Sequence, residues 1–158
     1  MATQDIKMVS LVDYLDPQLI VFLDASSRNE ALEILVERLY AAGKVRNKET
    51  FLKALLEREK IVSTGIGMGV AIPHAKLEEY SDFFIAVGIQ TTRGIDWHAL
   101  DSAPVQIIVM IGGPENRQTE YLQLLSHLTR IIKDETRRKN ILKAKVPQEV
   151  ALFLSGCV

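Results

Sequence analysis

Apolar residues recur along this chain with two different periods. Leu19–Leu23 is a short β-branched and aromatic run that predicts a strand. Behind it, Ser27 and Glu30 have the spacing of a capping box, in which hydroxyl and carboxylate each satisfy an amide left unpaired at a helix start. The helix that follows carries Ala31, Ile34, Leu35 and Leu39 on one stripe, turns Glu33, Glu37 and Arg38 to water, and stops at Gly43. Asn47 can cap a second helix, with Phe51, Leu52, Leu55 and Leu56 on its apolar side and Glu57-Arg58-Glu59-Lys60 at its end. Phe83–Ile89 and Val105–Ile111 are short apolar runs bounded by Ser81-Asp82, Arg93-Gly94, Pro104 and Gly112-Gly113, the pattern of buried strands at a sheet centre. Helical spacing returns over Thr119–Lys133 through Leu122, Leu125, Leu128 and Ile132, and Asp134–Ala144 and Pro147–Leu154 predict further helices. Alternation of the two kinds predicts a layered α/β domain rather than a helical bundle. No internal repeat or low-complexity stretch divides residues 1–158, which are read as a single domain.

Composition narrows the function classes. With 47% hydrophobic and 25% charged residues the chain is an ordinary globular one, and 19 Lys+Arg against 20 Asp+Glu leave a formal charge of −1. No global field gathers nucleic acid or anionic lipid, so neither is expected as a partner. The apolar runs fall short of the roughly 18 residues needed to cross a bilayer, which argues against membrane insertion. Met1–Asp5 lacks a secretion-signal pattern, so a cytoplasmic protein is expected. Cys157 is the only cysteine, and alone it forms neither an internal disulfide nor a thiol metal cluster.

The chemistry concentrates between Glu57 and Lys76. Gly65, Gly67 and Gly69 stand at every second position, where backbone can approach a ligand closely, and Ser63 and Thr64 add hydroxyl donors, so this loop can cradle an anion. Pro73 fixes its own φ and biases Ile72 towards an extended conformation, presenting His74 from a stiff segment. A neutral imidazole can attack phosphorus, and the guanidinium of Arg58 can neutralise charge on the phosphoryl oxygens during transfer. The plainer alternative is that the glycines make a tight turn, His74 forms a structural hydrogen bond and Arg58 sits on a solvated helix end. Other chemistries fit less well. Val70 stands where a dinucleotide fingerprint needs its third glycine, and there is no G-x-x-x-x-G-K-[ST], G-x-S-x-G or H-E-x-x-H. His74, His98 and His127 are too scattered to suggest a metal site, and no cofactor is expected.

Glu59, Ile66, Gly67, Val70, Ala71, Ile72, Pro73, His74 and Ala75 fill the signature of the fructose/mannitol-type IIA domain of the bacterial phosphoenolpyruvate-dependent phosphotransferase system. The chain resembles that family over most of its length. Arg58-Glu59-Lys60, Ser63 to Gly67 and Lys76-Leu77-Glu78-Glu79 look especially like its nitrogen-regulatory branch. The resemblance implies a mixed β-sheet flanked by helices on both faces. It implies that His74 accepts a phosphoryl group from the phosphohistidine of a small HPr-like carrier with Arg58 as charge partner. It also implies onward transfer to a separate IIB protein, as in sugar transport, or docking to a regulatory target protein according to phosphorylation state.

One position departs from the family pattern. Relatives carry a second active-site histidine early in the helix corresponding to Thr119–Lys133, and here Tyr121 aligns with it, or Glu120 if the register slips by one. Tyr121 can donate a phenolic hydrogen bond to a phosphoryl oxygen but cannot become cationic as imidazole can. At i, i+4, i+7 with Leu125 and Leu128 it can equally pack, leaving a module with weak or no onward transfer. His127 lies about 240° around the helix from Tyr121 and is expected at the surface; His98 is expected in a turn.

Overall fold

A computed structural model describes residues 9–156. Cys157 and the Met1–Asp5 segment lie outside the described residues. After two 3₁₀ turns, Leu11–Tyr14 and Pro17–Leu19, the first strand β1 covers Ile20–Leu23. Helix α1 runs over Arg28–Ala41 from an Ser27 cap, whose hydroxyl accepts the Glu30 N–H at 3.1 Å. The box closes differently from expectation, because the Glu30 carboxylate takes the Ser26 hydroxyl at 2.6 Å. Helix α2, Lys48–Ile61, starts from Asn47, whose side chain accepts the Thr50 N–H.

The sheet is mixed. Strands β2 (Gly65–Gly67), β3 (Val70–Ala71), β4 (His74–Lys76), β5 (Phe84–Gln90) and β6 (Ile107–Gly113) join β1 in the order β1-β5-β6-β3-β2. β4 also pairs with β6. β1 runs parallel to β5, and β5 antiparallel to β6. Helices α3 (Gln118–Ile132), α4 (Glu135–Lys143) and α5 (Pro147–Ser155) complete the chain.

Both central strands are buried along their whole length, so each must satisfy two faces. Ile107, Val109 and Ile111 of β6, with Ile85, Val87 and Ile89 of β5, meet Leu124, Leu128, Ile141 and Val150 of α3, α4 and α5. Ile108, Met110 and Ala86 face the other way, onto Leu32, Leu35, Phe51 and Leu55 of α1 and α2. The period of two along the strands thus supplies two cores, and helices cover both faces of the sheet.

The strand ends differ from the apolar runs. β6 begins at Ile107 rather than Val105, because Val105 leaves the sheet to bridge Ile95. The glycine segment, read as a loop, forms a hairpin and one interrupted strand instead. Val70 pairs with Ile107 and His74 with Ile111 in one parallel register, broken only at Ile72-Pro73. The break sends the Ile72 amide to the Thr64 carbonyl and leaves the Pro73 carbonyl to accept from Ile111.

Candidate active site

Helix α2 ends where the reactive groups gather. Arg58, in its last turn, donates from Nη1 to the Val62 carbonyl at 2.7 Å, which holds the guanidinium at the negative end of the helix. The next residue, Glu59, points inward and is only 5% exposed. Its carboxylate accepts the Thr64 N–H at 2.8 Å, the Thr64 hydroxyl, and the indole N–H of fully buried Trp97 at 3.1 Å. A buried carboxylate is tolerated when its lone pairs are filled in this way. Ser63 adds a second tie, donating to the Trp97 carbonyl at 2.6 Å and accepting the Gly65 N–H. The hydroxyls of Ser63 and Thr64 are therefore engaged in holding the turn that follows Arg58.

The glycines serve the hairpin between β2 and β3. Met68 (φ 61°) and Gly69 (φ 76°) form its two-residue turn with positive φ at both positions, the combination that matches the strand twist. A methyl group on Gly65 would lie 2.9 Å from the Ala99 side chain, and one on Gly67, itself at φ 96°, 3.0 Å from an Asp101 carboxylate oxygen. The glycine α-carbons thus face the 99–104 segment, and none of the three lines the cavity beside His74. Ile66 and Met68, the residues between them, do. Asp101 fastens the turn by accepting the Met68 N–H at 3.0 Å. The backbone N–H groups of Ala103 and Met68 hold its carboxyl below the ordinary carboxylate range.

His74 opens β4 immediately after Pro73. Its Nδ1 lies 3.0 Å from the Ile72 carbonyl, and Arg58 Nε–H donates to its Nε2 at 3.2 Å. A nitrogen that accepts from a guanidinium carries a lone pair, so the ring is neutral, protonated on Nδ1 and nucleophilic on Nε2. Burial holds its pKa below the usual imidazole value, with the cations Arg58 and Lys76 adding to the effect against the opposing pull of the Ile72 carbonyl.

The cavity in front of this ring has a volume of about 390 Å³ and runs down α3 past Tyr121, Leu125 and Thr129 to Lys133. A broader depression of about 470 Å³ lies where α1 meets Val21, but no comparable chemistry converges there. His74, Arg58, Ser63, Thr64 and Tyr121 are thus brought together on one cavity, and Gly65, Gly67 and Gly69 are not among the residues that line it. The Tyr121 ring lies 5.6 Å from that of His74 and stacks on Phe83 at 6.4 Å.

Three participants escaped the sequence reading. Lys76 sits two residues beyond His74 on the same strand, hence on the same face; its ammonium lies 4.1 Å from the Tyr121 ring centre and donates to Gln118 at 2.8 Å. Burial lowers the Lys76 pKa. Lys133 ends a row at every fourth residue, Tyr121, Leu125, Thr129, Lys133, a ridge the sequence displays. Glu59 appears in the family signature, but nothing local reveals that its partner is Trp97. His127 is half-buried rather than at the surface, and its Nδ1 accepts the Leu11 N–H at 3.3 Å, away from this cavity. His98 is exposed in a turn at φ 57°. Among the described residues no group of three or more His, Cys, Asp or Glu side chains is placed to hold a metal ion, and no helix is long and apolar enough to cross a membrane.

Comparison with known proteins identifies the family and the fold. The family model described as phosphoenolpyruvate-dependent sugar phosphotransferase system, EIIA 2, matches residues 13–156. The fructose-specific EIIA component of Haloferax volcanii is 36% identical over 133 residues, covering 84% of this chain and 86% of that protein. The nitrogen regulatory protein of Escherichia coli is 34% identical over 124 residues, covering 78% and 76%. The crystal structure of nitrogen regulatory protein IIA-Ntr from Neisseria meningitidis superposes with a TM-score of 0.85 at 26% identity, covering 91% of this chain and 98% of that one.

Proposed function

Because the chain belongs to the EIIA 2 family of the phosphoenolpyruvate-dependent sugar phosphotransferase system, we propose that it is a cytoplasmic phosphocarrier whose His74 accepts a phosphoryl group from the phosphohistidine of an HPr-like protein. The observation that carries this reading is the neutral His74 ring with its Nε2 lone pair directed at Arg58. In the transfer, Nε2 forms a bond to phosphorus as the bond to the donor's ring nitrogen breaks, and the donor's imidazole leaves. Arg58 Nε–H gives up the lone pair and turns to the phosphoryl oxygens, where a permanent cation stabilises the charge passing between rings. Nδ1–H keeps its bond to the Ile72 carbonyl, which supports the positive charge the ring acquires on phosphorylation. No cofactor enters this scheme; positioning and charge neutralisation supply the catalysis. The exposed apolar side chains of Ile66 and Met68 at the cavity mouth give the carrier a surface to dock on.

The test is incubation with phosphoenolpyruvate, the system's first enzyme and its HPr-like carrier, followed by intact mass. An acid-labile gain of one phosphoryl group, absent in His74→Ala, supports the assignment; no gain, or equal labelling of the variant, refutes it.

Regulation through phosphorylation state is the second reading, favoured by the likeness to nitrogen regulatory proteins. A phosphoryl group adds about two negative charges at the cavity mouth and changes which target docks there, with or without onward transfer to a separate IIB protein. Pull-downs with the two forms should retain different partners. Identical partners and affinities would exclude this reading while leaving the phosphoryl chemistry intact.

A further inference from the structure

The chain ahead of β1 is strapped to α3 by two side chains one helical turn apart. The Val9 N–H donates to Gln123 Oε1 at 3.1 Å, and the Leu11 N–H donates to His127 Nδ1 at 3.3 Å. Residues 123 and 127 share a helix face with a rise of about 6 Å between them, close to the roughly 6.6 Å that two residues of extended chain span, so the two acceptors match alternate amides. Ser10 between those amides is extended, and the Leu11 side chain is buried in the same core cluster as Leu124 and Leu128 of α3. At its other end the strap is tied by Tyr14, whose hydroxyl donates to Asp82, the partner of Arg117 at the start of α3.

A backbone N–H can only donate, so the His127 ring has a lone pair on Nδ1 and, neutral, carries its proton on Nε2, the opposite tautomer to His74. We propose that His127 is an acid-released latch: a proton taken up from solvent at Nδ1 breaks the bond to the Leu11 N–H and frees residues 9–14 from α3. Two donors would then face each other, and the Leu11 amide would lose its acceptor. The charged groups around the hollow of about 280 Å³ that His127 lines are Arg130 on α3, and Asp134 and Arg137 at the start of α4; α5 contributes Ser155 and Gly156. Asp134 is engaged as the cap of α4, accepting the Arg137 N–H, and the Arg137 guanidinium donates to the Phe153 carbonyl. From the strap itself the contact is backbone, and the exposed Asp13 does not line the hollow. Burial, with Arg130 adding to it, lowers the His127 pKa from 6.5. The latch is therefore fully closed above pH 6.5 and yields as pH falls through the lowered value. It lies outside the His74 cavity and does not depend on phosphoryl transfer.

The test is NMR on the wild-type protein. At neutral pH the ring 15N signals of His127 should show a proton on Nε2 alone, and a proton on Nδ1 overturns the proposal. On acidification the Leu11 amide resonance should move with the midpoint of His127, below 6.5. Its hydrogen-exchange protection, corrected for the intrinsic rate at each pH, should fall by up to about tenfold per pH unit, as expected when the open form alone takes the proton. A Leu11 amide that is unmoved through the His127 titration, or that follows His74 instead, contradicts the latch. His127→Asn puts a side-chain oxygen where Nδ1 stands, and that acceptor takes up no proton in this range. Leu11 protection in this variant should persist into acid; protection that falls there as steeply as in the wild type would show that another group opens the strap.

Discussion

Glu59 and Trp97 are 38 residues apart, and the indole N–H of one meets the buried carboxylate of the other at 3.1 Å. Through Thr64 the same carboxylate fixes the turn that leaves α2, one residue after Arg58. Glu59→Ala would leave the Thr64 amide and the Thr64 hydroxyl without their acceptor, while the indole keeps only the Thr64 hydroxyl oxygen at 3.1 Å. The expected loss is about 2–4 kcal/mol in urea unfolding, since each buried unsatisfied group costs on the order of 1–3 kcal/mol and the effects overlap. A loss within experimental error would show that the network is incidental.

The pH dependence of His74 follows from the direction of its shift. Its pKa in the fold lies below the 6.5 of a free imidazole, chiefly because of burial. The unfolded chain therefore binds a proton near pH 6.5 that the folded ring resists, so this contribution to stability is complete above that pH and is lost as pH falls towards the lowered folded value. The phosphorylation rate should be level above the same point and decline below it, as the nucleophile protonates. NMR titration of the His74 ring carbons checks both, and a midpoint at or above 6.5 contradicts the assignment.

Arg58 contributes to that depression as a nearby cation, second in its lowering effect to burial. In Arg58→Ala the His74 midpoint should rise part of the way back towards the ordinary value, while transfer slows by about a hundredfold or more, as expected for loss of one preorganised charge-stabilising donor. A titration that does not move would mean the two side chains do not communicate.

Gly65 separates packing from ligand binding. A methyl group there meets the Ala99 side chain at 2.9 Å, so Gly65→Ala should destabilise by about 1–3 kcal/mol through overpacking. Because the residue does not line the cavity, phosphorylation of the folded fraction should proceed near the wild-type rate. Normal stability with abolished transfer would restore the glycine to the phosphoryl site.

Much of this architecture is legible in one dimension because its causes are local. Ser27 and Asn47 cap their helices as their side-chain chemistry dictates, and the apolar runs of β5 and β6 announce strands buried on both faces. The resemblance implied the pairing of His74 with Arg58, and the distance between them is short enough for a hydrogen bond. What stayed hidden depends on distant partners. Val105 looks like strand β6 but is claimed by Ile95, and the glycines look like an anion cradle until Ala99, Asp101 and Pro104 are seen against them. Nothing near Glu59 predicts an indole donor, and Tyr121 proves to be both a packing residue against Phe83 and a wall of the cavity, which its helical spacing alone does not reveal.

The proposed phosphocarrier chemistry requires that the Nε2 atom of His74 receive the phosphoryl group. The most direct measurement is 15N NMR of the protein labelled in its histidine rings, recorded before and after phosphorylation by the HPr-like carrier. Phosphorus coupling should appear at His74 Nε2, with Nδ1 still protonated on the Ile72 carbonyl. Coupling at Nδ1, at His98 or His127, or at no histidine would contradict the account.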